Sequence, residues 1–362
     1  MHNIDKKNSI NKIVNKTLLI RADASLHIGS GHLMRCLALA QGWKDSGGEV
    51  VFATACSNDN LLCRLYEEDF RVHKIENPYP NPQDWQTTRQ ILEEHKGAWL
   101  VIDGYHFDSS YQRLVKESGY PLLAIDDYGH ADHYYADIVL NQNLHAESLT
   151  YSCEPYTKLL LGTKYVLLRR EFLKWRNWER GVPEIARKVL ITLGGSDPKN
   201  ITLKAMQALG KVDIDGLEAV VVVGGGNPHY ESLKKAIQSS RVLICLKKDV
   251  KEMPGFMAWA DVAISGGGTT CWELAFMRLP SLILAIADNQ KLNVTMLKRS
   301  GIALTLDLEY KDALAKIGDL LQELLRNKEA RIKISQKSRA IVDGFGATRV
   351  VNIIASNSAP LT

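Results

Sequence analysis

Short apolar runs alternate with amphipathic segments along most of this chain, and the alternation starts afresh near its middle. Thr17 to Ile20, Val50 to Ala53, Trp99 to Ile102, Pro121 to Ile125 and Ile138 to Leu140 form a first series. Val189 to Leu193, Ala219 to Val223, Val242 to Leu246, Val262 to Ser265 and Ser281 to Ile286 form a second. Near-continuous apolar runs separated by helical periodicity are the signature of parallel strands with helices on both faces. A charged segment, Arg169 to Lys188, with Trp175, Trp178, Gly181 and Pro183, parts the two series. Each series opens with a strand, a glycine loop and a helix. This predicts an α/β chain of two Rossmann-like domains facing each other across a cleft, with ligands at the carboxyl ends of the strands. The expected division is a polar leader over 1–17, an N-terminal domain over 18–183 and a C-terminal domain over 184–330. A helical region over 331–362, broken near Gly344 and Gly346, is expected to pack back on the first domain.

At 362 residues the chain exceeds one ordinary core, which agrees with two domains. Its net charge of +4 is small against 45 basic and 41 acidic residues, and no dense basic tract with interleaved aromatics occurs, which argues against a nucleic-acid partner. The six cysteines contain no C-x-x-C pair, as suits reduced thiols in a cytoplasm. The leader lacks the apolar core of a signal peptide, and no apolar run reaches the roughly 20 residues of a membrane span. A cytoplasmic protein without a membrane partner is expected.

Two loops carry the chemistry. In Ile28-Gly29-Ser30-Gly31-His32-Leu33-Met34-Arg35 a glycine turn opens a helix with a histidine in its first turn. The free N–H groups there favour an anion, and their partial positive charge is expected to keep His32 neutral and able to accept a proton. An incidental histidine in a glycine turn is the alternative. In Ser265-Gly266-Gly267-Gly268-Thr269-Thr270-Cys271-Trp272-Glu273, successive N–H groups, two hydroxyls and a helix start suit a diphosphate. Glu273 is placed for a ribose diol, or else is a partner of the helix dipole. The loop is neither a Walker A motif nor a G-x-G-x-x-G fingerprint. Tyr105, just past the Trp99 to Ile102 strand, either reaches the cleft or is a core-edge tyrosine. Asn289 and Gln290 follow the Ser281 to Ile286 strand, where amides orient a sugar or water, or cap the next helix. Asp126 to His133 has metal-site residue types without metal-site spacing and reads as a polar loop, so no metal is assigned.

These motifs, together with Arg21-Ala22-Asp23-Ala24-Ser25, Ile125-Asp126-Asp127, Asn141-Gln142-Asn143 and Leu193-Gly194-Gly195-Ser196-Asp197, come in the order found in the UDP-2,4-diacetamido-2,4,6-trideoxy-β-L-altropyranose hydrolases of pseudaminic acid biosynthesis. The resemblance runs from about Leu18 to about Gly346. It implies a GT-B fold like that of MurG-type glycosyltransferases, and metal-independent cleavage between the anomeric carbon and oxygen with inversion. It also implies a place in flagellin glycosylation and no cofactor. Carried over by motif, the catalytic residues are His32, Tyr105 and Asn289. Gly267, Gly268, Thr269, Thr270, Glu273 and Met253 fall on the UDP side, and Gly31, Arg35 and Gln290 on the sugar side. The substrates are then a UDP-sugar and water. A GT-B glycosyltransferase and a non-catalytic nucleotide-sugar-binding protein are the alternatives.

Overall fold

A computed structural model describes residues 16–25, 28–195, 197–308 and 313–357. Positions 1–15 of the expected leader and Ser196 lie outside them, whereas Thr17 already belongs to the first strand. The first sheet holds β1 (Thr17–Ala22), β2 (Glu49–Thr54), β3 (Arg71–Lys74), β4 (Trp99–Asp103), β5 (Leu122–Ile125), β6 (Ile138–Asn141) and β7 (Lys158–Leu161). The second holds β8 (Lys188–Thr192), β9 (Glu218–Val223), β10 (Leu243–Lys248), β11 (Val262–Gly266), β12 (Ser281–Ala285) and β13 (Leu304–Asp307). The helices are α1 (Gly31–Asp45), α2 (Asp59–Glu67), α3 (Pro82–Glu94), α4 (Ser109–Glu117), α5 (Arg170–Leu173), α6 (Ile201–Leu209), α7 (Tyr230–Gln238), α8 (Met253–Trp259), α9 (Thr270–Phe276), α10 (Lys291–Ser300), α11 (Ala313–Arg326), α12 (Lys328–Arg339) and α13 (Gly346–Asn357).

Both sheets are parallel, ordered β3-β2-β1-β4-β5-β6-β7 and β10-β9-β8-β11-β12-β13. Strand order reverses between β1 and β4 and between β8 and β11, and the loops that leave these strands part to opposite sides and open a crevice there. The central strands β1, β4, β11 and β12 are buried along their whole length, which explains their unbroken apolar runs.

Helix α1 is apolar almost all round because it lies between the first sheet and α13, with Leu33, Cys36, Leu37, Ala40 and Trp43 in the core. Ala347, Val350, Val351 and Ile354 of α13 join the same core, so the end of the chain returns to the first domain. Between them α12 packs on α9 of the second domain, so the division expected at 330/331 falls inside a helix. No helix among the described residues is long and apolar enough to cross a membrane.

Candidate functional site

Helix α1 starts at the switch point of the first sheet without a side-chain cap and without an acid in its first turn, so its N-terminal N–H groups keep their partial positive charge. Helix α9 starts at the switch point of the second sheet, also without a side-chain cap. The two starts meet across the cleft: a methyl group on Gly31 would sit 3.5 Å from Thr269 Oγ1, and one on Gly195 would collide with Ser30 Oγ at 2.7 Å. Small residues at these points let the domains approach. The start of α6 is different. Asp197 of its own loop accepts the N–H groups of Ile201 and Thr202, both at 2.8 Å, so a carboxylate already occupies the place an anion would take. The start of α6 is thereby filled from within, whereas the start of α9 is not.

Within the open loop the donors are fewer than the glycine count suggests. The Gly267 N–H is taken by Gln290 Oε1 at 2.9 Å and by the Leu284 carbonyl at 3.1 Å. The N–H groups of Gly268, Thr269 and Thr270 have no acceptor among the described residues. Gly267 is therefore a strut of the loop, held by Gln290 through Oε1, while Gln290, expected on the sugar side, keeps its Nε2 outside these contacts. The Met253 side chain, expected on the UDP side, is buried in the core with Met257 and Trp272.

His32, at the second position of α1, is almost buried, and its Nδ1 lies 2.6 Å from Asp103 Oδ1 at the end of β4. Arg35 Nη2 lies 3.2 Å from the same nitrogen, and the shorter contact to the carboxylate assigns the proton to Nδ1. Nε2 is left as the acceptor. This contact, more than the field of the helix start, fixes which nitrogen is free to accept a proton. Arg35, expected to hold sugar, is 3% exposed and fully engaged. Its Nε and Nη2 donate to Asp103 at 2.7 Å each, and its Nη1 donates to Asp127 at 2.7 Å. It is a buried clamp on two carboxylates. Burial alone would push the Asp103 carboxyl up, but Arg35 and His32 outweigh it and hold it well below the usual carboxylate range. Asp127 is held low in the same way, mainly by Arg35 against burial.

Tyr105 reaches the cleft. Its hydroxyl donates to Asp127 Oδ2 at 2.7 Å and accepts from Asn289 Nδ2 of the second domain at 3.3 Å. Its ring stands edge-on to His32 at 5.0 Å. Burial and the Asp127 charge push the phenol far up, so it stays protonated. Asn289 caps no helix: α10 has no side-chain cap, and the amide faces the first domain instead. The structure thus brings His32, Tyr105 and Asn289 together.

Two contributions escaped the sequence reading. Asp103, Asp127 and Asn143, which donates to Asp127 at 2.8 Å, build the floor beneath His32 and Tyr105. Arg169, in the charged segment between the domains, donates to Glu273 Oε1 through Nη2 at 2.8 Å and Nε at 3.3 Å. The signal was available for the acids, because each ends an apolar strand or follows one directly. Asp126 is satisfied by the Gly129 N–H, His130, Asn141 and Tyr151 and forms a structured polar loop.

Two parallel-sheet domains with facing switch points define a GT-B type protein, and the comparisons agree. MurG of Acinetobacter baumannii superposes with a TM-score of 0.66 at 15% identity, covering 94% of this chain and 99% of that one. Residues 189–347 match the model of the glycosyltransferase family 28 C-terminal domain. The resemblance read from the motifs is found along most of the chain. It is 26% identical over 301 residues to the UDP-2,4-diacetamido-2,4,6-trideoxy-beta-L-altropyranose hydrolase of Campylobacter jejuni, covering 81% of this chain and 99% of that protein. It is also 25% identical over 340 residues to the spore coat polysaccharide biosynthesis protein SpsG of Bacillus subtilis, covering 92% and 96%.

Proposed function

We propose that the protein hydrolyses a UDP-2,4-diacetamido-2,4,6-trideoxy-hexose, breaking the bond between the anomeric carbon and oxygen with inversion. The observation that carries the reading is the convergence of two uncapped helix starts on one point, with a carboxylate-backed histidine on one of them. The diphosphate is held by the N–H groups of Gly268, Thr269 and Thr270 and by the start of α1, and the ribose by Glu273. His32 Nε2 takes a proton from water as the water oxygen bonds to the anomeric carbon. The carbon–oxygen bond breaks with its electron pair going to the β-phosphate oxygen, and UDP leaves as an anion. No acid is needed for so good a leaving group.

Formal charge fits this direction of proton flow. With His32 neutral, Asp103 and Asp127 against Arg35 leave the buried cluster at one net negative charge, and a proton on His32 brings it to zero. The same negative charge favours an oxocarbenium-like centre. Tyr105, whose proton is committed to Asp127, orients water or sugar as an acceptor. Glycosyl transfer is the second reading, favoured by the match of residues 189–347. Incubation with the UDP-sugar and no acceptor separates them: stoichiometric UDP release supports hydrolysis, and release that appears only with an acceptor overturns it.

A further inference from the structure

Glu273 Oε1 accepts both of Arg169's bonds, while its Oε2 meets no donor among the described residues. Arg169 is 7% exposed and its Nη1 donates to Glu171 Oε1 at 2.8 Å. Glu171 in turn accepts from Arg64 Nη2 of α2 at 2.5 Å, so the row Arg64, Glu171, Arg169, Glu273 crosses from the first domain to the first turn of α9. The neighbouring Arg170 is fastened to the first domain by Asp45 and Glu68 at 2.7 and 2.8 Å, and its N–H donates to Gln41 at 2.7 Å.

We infer that Arg169 is the positioning residue for ribose recognition, anchored on the first domain and turning one oxygen of Glu273 toward the sugar diol of a nucleotide. A glutamate side chain left unpaired samples several rotamers, and a diol held by a wandering carboxylate is held weakly. Fixing Oε1 removes that freedom and leaves Oε2 as the acceptor. Because Arg64 lies in the first domain while Leu168 and Phe172, which flank Arg169, are buried in one core with Trp272 of α9, the row couples recognition of a ribose 2′-hydroxyl to how the two domains sit. The inference rests on Glu273 facing the ribose, and is independent of whether the sugar passes to water or to another acceptor.

Calorimetry on the full chain with UDP and 2′-deoxy-UDP tests it. The unmodified protein is expected to bind UDP about tenfold more tightly than the deoxy form, since the missing hydroxyl leaves a carboxylate unpaired. Arg169→Gln should erase most of that preference while changing deoxy-UDP affinity little, and Arg169→Lys, which keeps the charge without the planar fork, should restore part of it. Glu273→Gln is the control. If Glu273→Gln keeps the full preference, the ribose reading itself falls. If Glu273→Gln loses it and both folded Arg169 variants keep it, the ribose reading stands and the role given to Arg169 is overturned.

Discussion

Replacing Asp103 by Asn swaps one carboxylate oxygen for an NH2 group in a place where every neighbour is a donor. His32 Nδ1 and Arg35 Nη2 meet Oδ1, and Arg35 Nε meets Oδ2. If the amide nitrogen faces Arg35, a charge-assisted bond of about 1.5–3 kcal/mol is lost and two donors confront each other. If it faces His32, the imidazole must present an unprotonated Nδ1, which moves the proton to Nε2 and removes the base. Either placement also takes away the charge that offsets the imidazolium formed when water is deprotonated. Turnover is expected to fall by about 10² to 10⁴, the usual range for a lost general base, with a much smaller change in UDP affinity because the backbone N–H groups that meet the diphosphate are left in place. The assay is UDP release at saturating substrate, paired with UDP calorimetry and a thermal melt. A folded Asp103→Asn protein with unchanged turnover would refute the tautomer assignment and the role of His32 with it.

Glu273→Ala should weaken UDP binding by about 1–3 kcal/mol in calorimetry, and unchanged affinity in a folded protein would remove Glu273 from the nucleotide site. Activity should survive EDTA in full, because two helix starts already meet the diphosphate charge; loss on chelation with recovery on Mg²⁺ or Mn²⁺ would show that they do not suffice. His130 gives a pH signature in stability. Burial opposes its charge, but Asp126 at 2.7 Å and the Phe107 carbonyl at 3.3 Å raise its pKa above the ordinary value. Its contribution is therefore complete below about pH 6.5 and is lost as pH rises through the raised value, so the melting temperature should fall across that window and His130→Gln should flatten the slope. An unchanged slope in the variant would place the titration elsewhere.

Strands with both faces buried were readable, and of the four edge strands only β10 was. β1, β4, β8, β11 and β12 are apolar runs because sheet and helices cover them completely. β3, β7 and β13 lie at sheet edges, where Arg71, His73, Lys74, Lys158 and Thr305 interrupt or shorten the apolar runs. The meeting of His32, Tyr105 and Asn289 at the cleft was foreseeable because each lies on a connection that leaves the carboxyl end of a strand. The contacts of Arg35, Gln290 and the Gly267 N–H were not, since a donor or acceptor in a motif looks the same whether it faces a ligand or holds a neighbour. Only the partners at 2.7 to 2.9 Å decide that. Arg169 lay in a charged stretch that reads as a linker, and its meaning comes from a contact 104 residues away in sequence.

Hydrolysis in ¹⁸O-labelled water, followed by mass spectrometry of both products and NMR of the first-formed anomer, tests the carbon-centred displacement most directly. Attack of a His32-activated water on the anomeric carbon places the label in the sugar and yields the inverted anomer first. Label in the UDP would mean attack at phosphorus, and would contradict both the role of His32 and the placing of the sugar against the first domain.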